Sequence, residues 1–388
     1  MAYNFDKIPN RRVPGVTNKW TLYPEDVIPM WVADMDFSAP PAILKAFEKF
    51  AKHGDFGYQL PSTALYETIA ARMDKLYNWK ISADMIVTVP GVNSGYNVAT
   101  RAFCTSRRGY LIQPPVYNEF LETGLKTGVP QMEAPLQEKA EGNRIRYEVD
   151  FEAFERAAKK VNLFLSCHPH NPIGRIYSER ELMDMAAICS QNDVLIVSDE
   201  IHSELLLDGK AFQPTAALSP DIANRTITLV AASKGFNVPG LLCAFAIIPN
   251  EEIRKRYQEM VYKMGLFITG PGLLAARLAY SGVCDAWLKA LRKYLTQNRD
   301  FLVEYVTKYL PEVRVTVPDA TYLAWLDFSA LRLEPSPYEF FLRNARVALS
   351  DGKKFGQGCE QFARLNFGTS RKVLKEGLER IRKAMKSR

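Results

Sequence analysis

Short apolar runs alternate with longer amphipathic segments along most of the chain. Six of these runs have the length and residue types of strands: 85–89, 110–112, 163–165, 194–197, 227–231 and 244–248. Strands separated by segments of helical length are typical of βαβ units around a parallel sheet. The pattern therefore predicts an α/β fold with a mostly parallel central sheet. Polar, Gly or Pro residues follow the first five runs, at the carboxyl edge where ligands meet such a sheet.

The pattern changes after about residue 283. A charged amphipathic segment over 285–309 predicts a long helix, and a final helix is predicted from residue 372. Strand-like pieces lie between them, at 313–317, 322–327 and 362–367. We therefore predict a large α/β domain over 45–284 and a smaller α+β domain made of 1–44 and 285–388.

Composition places the chain among ordinary globular proteins. Hydrophobic residues make up 47% and charged residues 24% of its 388 positions, which favours neither disorder nor a fibrous architecture. The formal net charge of +7 is spread along the chain. We therefore expect a solvated surface and small anionic ligands, and no nucleic-acid partner.

Cysteine usage and hydropathy bear on location. The six cysteines form no CxxC pair, and the apolar run 241–248 is too short to span a bilayer. Residues 1–10 carry charges instead of the apolar core of a signal peptide. We therefore predict a cytoplasmic protein with no membrane partner. His168 and His170 have no third ligand nearby, so no metal site is predicted.

Lys234 is the first candidate for chemistry because it closes the apolar run 227–232. An amine at the carboxyl end of a buried strand is partly desolvated, which lowers its pKa and makes it a nucleophile. A solvated loop lysine is the alternative that this residue alone leaves open.

Asp199 and Asn171 follow two other predicted strands. A buried carboxylate needs a cation, and a protonated pyridine nitrogen is such a cation; a helix N-cap is the alternative for Asp199. Asn171 lies in a turn with Pro172 and Gly174, where its amide can donate to a phenolate-like oxygen. A simple turn explains the same residues.

Three further features suit parts of a phosphorylated, ring-shaped cofactor and its substrate. The glycine-containing segment 91–95 opens a helical pattern and suits a phosphate, to which Ser233 can add a hydroxyl. Tyr117 can stack on a flat ring, or fill a loop. Arg364 alternates with apolar strand residues, so its guanidinium faces a cleft and suits a carboxylate, with a salt bridge as the alternative.

In this order and spacing, these residues resemble the pyridoxal-phosphate enzymes of the class I/II aminotransferase family, which have the fold-type-I architecture. Segments 30–37, 169–175 and 198–202 are similar to those of the MalY/PatB-type carbon–sulfur lyases, often called cystathionine β-lyases. The resemblance covers nearly the whole chain. It implies pyridoxal 5′-phosphate as the cofactor and a homodimer with shared active sites.

The resemblance also implies a role for each residue. Lys234 forms the covalent link to the cofactor and moves the Cα proton, Asp199 pairs with the pyridine nitrogen, and Asn171 contacts the ring oxygen. The other implied contacts are Tyr117 and His202 at the cofactor, Val92, Asn93 and Ser233 at its phosphate, Arg364 with Trp31 and Ala33 at the substrate, and Tyr58 reaching the phosphate of the other subunit.

Two positions depart from the wider family. Leu242 stands where many relatives carry an arginine or lysine that binds the phosphate. His202 stands where aminotransferases commonly have a tyrosine, whereas the lyase-like members carry a histidine there; a satisfied buried histidine is the alternative reading. Whether Leu242 weakens cofactor binding is left open by the sequence.

The function implied is cleavage of L-cystathionine or another L-cysteine S-conjugate to pyruvate, ammonia and a thiol. An aminotransferase that uses the same lysine, aspartate and arginine is the first alternative. The second is a regulatory protein that keeps the fold and the cofactor but has lost catalysis. The reactive residues are all present, which favours an enzyme, while the physiological substrate is not set by the sequence.

Overall fold

The computed structural model describes residues 3–15 and 17–387. The strands within them are β1 Ile28–Pro29, β2 Ile86–Val89, β3 Gly109–Ile112, β4 Gln131–Glu133, β5 Gln137–Glu141, β6 Arg144–Glu148, β7 Val161–Cys167, β8 Leu195–Asp199, β9 Thr226–Val230, β10 Ala244–Ile247, β11 Arg314–Thr316, β12 Leu323–Asp327, β13 Val347–Ala348, β14 Ser350–Asp351 and β15 Phe362–Asn366.

The helices are α1 Pro41–His53, α2 Thr63–Tyr77, α3 Val92–Phe103, α4 Asn118–Leu121, α5 Thr123–Thr127, α6 Phe151–Ala158, α7 Glu179–Gln191, α8 Pro220–Ala223, α9 Ala232–Gly235, α10 Glu251–Lys263, α11 Gly270–Tyr280, α12 Asp285–Tyr309, α13 Pro337–Asn344 and α14 Arg371–Lys386. None in the described ranges has the length and apolar character needed to cross a bilayer.

A seven-stranded sheet forms the centre of the molecule, in the order β2-β10-β9-β8-β7-β3-β4. The neighbours from β9 to β4 are parallel, while β10 runs antiparallel to both β9 and β2. Strand β10 is reversed because the short segment 231–243 turns the chain back at the carboxyl end of β9, without a crossover. The prediction of an α/β fold with a mostly parallel central sheet is confirmed.

Helices cover both faces of this sheet, which explains the nearly continuous apolar strands. In β7, Leu163 and Leu165 pack in one core with residues of α3 and α10, whereas Phe164 packs in another with residues of α6 and α7. Successive side chains of a strand point to opposite faces, so a strand buried on both sides must be apolar throughout.

A second sheet of six strands has the order β14-β15-β12-β11-β6-β5. Most of it comes from the C-terminal part of the chain, but the β5–β6 hairpin lies inside 45–284 and pairs through β6 with β11. The N-terminal segment joins this part too, because β1 pairs in parallel with β13. Helix α12 has the predicted bounds and packs on α14. The division into domains at residues 45 and 284 stays a prediction.

Candidate functional site

A cavity of about 400 Å³ lies at the carboxyl edge of the parallel strands, between the two sheets. All the site residues proposed from the sequence line it, except Tyr58. They are Trp31, Ala33, Val92, Asn93, Tyr117, Asn171, Asp199, His202, Ser233, Lys234 and Arg364. Residues that are far apart in the sequence therefore meet at the edge where α/β sheets bind their ligands.

Lys234 enters the cavity from α9, directly after β9. Its Nζ donates to the Ala33 carbonyl at 2.7 Å, and the Tyr322 hydroxyl donates to the same oxygen at 2.8 Å. Burial, together with the positive charge of Arg364, lowers the pKa of the Lys234 amine to about 8. About one tenth of the amine is therefore uncharged and nucleophilic at about pH 7.

Asp199 is the last residue of β8 and only 5% exposed. Its Oδ1 accepts from the Ile201 N–H at 3.1 Å, so it caps a turn and not a helix. Burial raises the pKa of its carboxyl to about 7, and no basic group of the described residues lies within ion-pair distance. A buried carboxyl at a cavity wall without a cation suits a cationic ligand group.

Arg364, in β15, is also 5% exposed. Its guanidinium donates to Asn171 Oδ1 at 3.0 Å, to the Trp31 carbonyl at 2.9 Å and to Ser350 Oγ at 3.1 Å, and it stacks on the Phe355 ring at 5.0 Å.

Those acceptors are all neutral, and no carboxylate in 3–15 or 17–387 pairs with Arg364. Burial lowers the pKa of this guanidinium to about 10, which leaves it charged at neutral pH. Sequence analysis gave a salt bridge as the alternative role of Arg364, and the described residues form no such bridge with it. A buried, oriented guanidinium without an anion suits an incoming carboxylate.

His170 connects the loops that carry Asn171 and Tyr117 through hydrogen bonds. Its Nε2 bonds to the Pro115 carbonyl at 2.8 Å, and its Nδ1 meets the Tyr177 hydroxyl at 2.9 Å. Burial lowers the pKa of the His170 imidazole to about 4, so the ring is neutral. Sequence analysis considered this histidine only as a poor metal ligand and missed that it connects two loops that line the site.

The turn after Asn171 needs glycine. Gly174 has a φ of 72°, and a Cβ there would lie 2.5 Å from Pro318 Cβ. The backbone N–H of Asn171 donates to Cys167 Sγ at 3.3 Å. The turn is therefore fixed from two sides, and it presents the Asn171 side chain both to the cavity and to Arg364.

The N-terminus of α3 forms another wall. Gly91 precedes the helix and provides no side-chain cap, so the backbone N–H groups of the first turn remain as donors. The Asn93 side chain is already engaged, since its Nδ2 donates to Glu119 Oε2 at 2.8 Å and its Oδ1 accepts from Asn97 at 2.8 Å. Anion binding here therefore depends on backbone N–H groups and on Ser233.

Leu242 lines the same cavity with a φ of 48° and 57% of its surface exposed. An apolar side chain thus lines the cavity at this position, and it offers no charge to an anion.

His202 is 3% exposed, and its Nδ1 has no hydrogen-bond partner among the described residues. Its ring packs edge-on against Tyr322, with centroids 6.0 Å apart. Burial, with Lys234 and Arg364 nearby, holds the pKa of the His202 imidazole well below its usual range. The ring is therefore neutral, and the residue lines the cavity.

Tyr58 does not line the cavity. It is fully exposed, in a segment between α1 and α2 that also exposes Phe56 and Leu60. It contributes nothing to the cavity of its own chain.

Sequence reasoning missed several lining residues, among them Ser350, Lys354 and Phe355. They reach the site because β14 pairs antiparallel with β15, in a register that sets Ser350 opposite Arg364. A strand of two residues gives almost no periodic signal in the sequence, so the position of these residues at the cavity follows only from the strand pairing.

Comparison with known proteins gives consistent results. The family model described as aminotransferase class I and II matches residues 25–381. The chain is 37% identical to cystathionine beta-lyase PatB of Bacillus subtilis, over 98% of this chain and all of the relative. Cystalysin of Treponema denticola, crystallised with pyridoxal 5′-phosphate, is 30% identical with a TM-score of 0.93 and full coverage of both chains. The pyridoxal-phosphate-bound C-S lyase of Staphylococcus hominis is 30% identical with a TM-score of 0.91, over 99% of this chain and 98% of the other.

Proposed function

The chain belongs to the class I and II aminotransferase family, and we propose that it is a pyridoxal-phosphate-dependent carbon–sulfur β-lyase acting on L-cystathionine or related L-cysteine S-conjugates. The observation that carries this proposal is one cavity holding a partly desolvated amine, an unpaired buried carboxyl and an unpaired buried guanidinium. Full-length relatives named for cystathionine beta-lyase support the reaction class.

The residues present fit pyridoxal 5′-phosphate. Lys234 would hold its aldehyde carbon, Asp199 its ring nitrogen and Asn171 its ring oxygen, while Tyr117 would flank the ring. Backbone N–H groups at Val92 and Asn93 and the Ser233 hydroxyl would hold the phosphate. When bound, the cofactor supplies a ring that withdraws electrons from the substrate Cα.

Asp199 serves this arrangement through its charge. Beside a protonated ring nitrogen its carboxyl gains the counter-ion that the protein alone does not provide, which favours the ionised form. His202, a neutral imidazole, lines the same cavity.

Arg364 would bind and orient the substrate carboxylate. Its guanidinium is held by Asn171, Ser350 and the Trp31 carbonyl, so the substrate meets a donor that is already positioned. The Trp31–Ala33 backbone forms the adjacent wall. An amino acid fixed in this way presents its Cα hydrogen to Lys234.

Once the substrate amine has displaced Lys234 from the cofactor, the free Lys234 amine would accept the Cα proton, and the Cβ–S bond would break as the thiol departs. The remaining three-carbon fragment takes up water and yields pyruvate and ammonia. One conjugate and one water thus give one thiol, one pyruvate and one ammonia. A thiol is a good leaving group at the carbon next to the deprotonated position, which is why this site acts on sulfur conjugates.

The active unit in this proposal is a homodimer in the cytoplasm. Phe56, Tyr58 and Leu60 form an exposed apolar segment of the kind that marks contact surfaces, and Tyr58 would reach the phosphate held by the other subunit. All six cysteines, each within the described residues, are free thiols, as a reducing compartment favours.

The test is a turnover assay on the purified holoenzyme with L-cystathionine, in which pyruvate and free thiol are measured together. We expect equal amounts of both, without a need for a 2-oxo acid. Replacement of Lys234 by Ala should lower turnover by roughly a thousandfold or more, whereas Lys80→Ala, at an exposed position outside the cavity, should change nothing.

Two outcomes would contradict the proposal. Turnover that requires an added 2-oxo acid and releases no thiol identifies an aminotransferase. A yellow protein without turnover on any amino acid, bound to a stoichiometric protein partner, indicates a regulatory role.

A further inference from the structure

One cation of the cavity has no role in the proposed reaction. Lys354 lines the cavity together with Arg364 and Phe355. Its side chain is exposed, and it belongs to none of the ion pairs formed within the described part of the chain. The neighbouring Lys353 is exposed too, but does not line the cavity.

The backbone that carries Lys354 is fixed. It lies in a single 3-10 turn, Gly352–Phe355, which begins directly after β14. A Cβ on Gly352 would lie 2.1 Å from the Cys359 carbonyl oxygen, so the turn packs tightly against the chain before β15. At its other end, the Phe355 carbonyl accepts from the Val116 N–H at 2.9 Å, next to Tyr117.

The position of Lys354 relative to a substrate follows from these anchors. Phe355 stacks under the Arg364 guanidinium, at 5.0 Å from its ring centroid. Lys354 is therefore adjacent to the residue that supports the carboxylate-binding arginine, and its exposure places it at the mouth of the cavity. Asp199 is buried at the inner end, so a conjugate whose α-carboxylate lies on Arg364 can extend its sulfur substituent towards the mouth.

Charge then indicates what this group carries. In the proposed reaction, Arg364 takes the α-carboxylate and Lys234 acts at Cα, which leaves Lys354 without an anion. An unpaired cation at the rim attracts a second negative charge on the substrate.

We propose that Lys354 is a specificity-determining residue that selects L-cysteine S-conjugates whose sulfur substituent ends in a carboxylate. This inference rests on the proposed β-lyase function. It assigns Lys354 no part in bond breaking, so its contribution belongs to substrate capture, in kcat/KM and KM, and not to kcat.

The experiment compares two conjugates of the same shape, S-carboxyethyl-L-cysteine and S-carbamoylethyl-L-cysteine, by pyruvate release from the holoenzyme. The unchanged protein should favour the carboxylate in kcat/KM. In Lys354→Met this preference should fall about two- to fivefold, as for an exposed ion pair, with kcat unchanged. Lys354→Glu should reverse the sign of the preference, and Lys353→Met should keep it. Added salt should reduce the preference of the unchanged protein.

If Lys354→Met lowered kcat/KM equally for both conjugates, or left their ratio unchanged, the inference about Lys354 would be overturned. Pyruvate release by the unchanged protein would still support the lyase function. Release of pyruvate from neither conjugate by the unchanged protein would overturn the proposed function, and this inference with it.

Discussion

The two ends of the cavity are built differently. At the inner end, Asp199, Asn171 and Arg364 are at most 5% exposed, and each is held by hydrogen bonds within the chain. At the outer end, which here means Leu242 and the N-terminus of α3, Leu242 is 57% exposed, and Tyr58 of the same chain lies outside the cavity altogether. One polypeptide therefore fixes the side chains that are proposed to bind a ring and an amino acid, whereas the proposed phosphate site is more open.

This difference has a physical reason. Orienting a ring and a carboxylate needs side chains fixed by packing, and a buried strand end provides such fixation. A phosphate is held by diffuse donors, backbone N–H groups and a hydroxyl, which tolerate a contribution from another chain. Three predictions test how far the contrast holds.

Of these three, the largest effect is expected at Arg364. In Arg364→Lys, kcat/KM for L-cystathionine should fall roughly 100-fold, because an ammonium cannot bond to Asn171 and Ser350 and also bind a carboxylate in bidentate fashion. Steady-state kinetics of pyruvate release measure this change. Arg314→Lys is the control, since Arg314 pairs with Asp327 in the same sheet, away from the cavity. A variant at Arg364 with unchanged kcat/KM would show that the inner end does not need its fixed geometry.

Sequence reasoning found the inner end because strand ends are visible in the hydrophobic pattern. Lys234 and Asp199 each follow an apolar run, and parallel strands bring their carboxyl ends to one edge. Six of the seven strands of the central sheet were found for the same reason, whereas β4 was not. The reversed direction of β10 was missed too, since a run of apolar residues carries no direction.

Other parts of the site depend on contacts that no local pattern contains. Ser350 lies opposite Arg364 only through the pairing of β14 with β15. The bond between His170 and the Pro115 carbonyl joins residues 55 positions apart. The engagement of the Asn93 amide by Glu119 likewise arises from packing, since α4 brings Glu119 beside α3. Tertiary contacts of this kind decide which predicted side chains remain available to a ligand.

The next effect tests the outer end. If Tyr58 reaches the phosphate held by the other subunit, Tyr58→Phe should weaken cofactor binding about tenfold, the lower range for a hydrogen bond to a charged group. Equilibrium titration of the cofactor-free protein, at protein concentrations that keep the dimer intact, measures the dissociation constant. Tyr309→Phe, on the partly exposed end of α12, is the matched control.

Dilution provides a second measurement of the same contrast. Cofactor affinity should decline as the protomers separate, because each loses the tyrosine of its partner. An affinity that depends neither on Tyr58 nor on protein concentration would mean that the outer end is complete within one chain.

The smallest effect concerns pH at Lys234. Burial and Arg364 lower the pKa of this amine, and Asp34 and Asp199 raise it. The resulting pKa is about 8. The uncharged amine is therefore the minor form below about pH 8 and the major form above it, so the rate of cofactor attachment should rise about fivefold between about pH 7 and about pH 8. Between about pH 8 and the usual lysine pKa, the Lys234 amine binds fewer protons in the folded state than in the unfolded state. The contribution of this amine to the free energy of unfolding therefore becomes more favourable to the folded state as pH rises through that window.

Two variants should move this profile in opposite directions, since the charges at the inner end act on one amine. Asp199→Asn removes a negative charge and should shift the rise in attachment rate to lower pH, whereas Arg364→Gln removes a positive charge and should shift it to higher pH. Stopped-flow absorbance of cofactor added to the cofactor-free protein follows the rate, and Lys353→Met should leave the midpoint in place. Shifts in the same direction would mean that the variants act by altering the packing of the inner end, and the electrostatic account of the Lys234 amine would then be wrong.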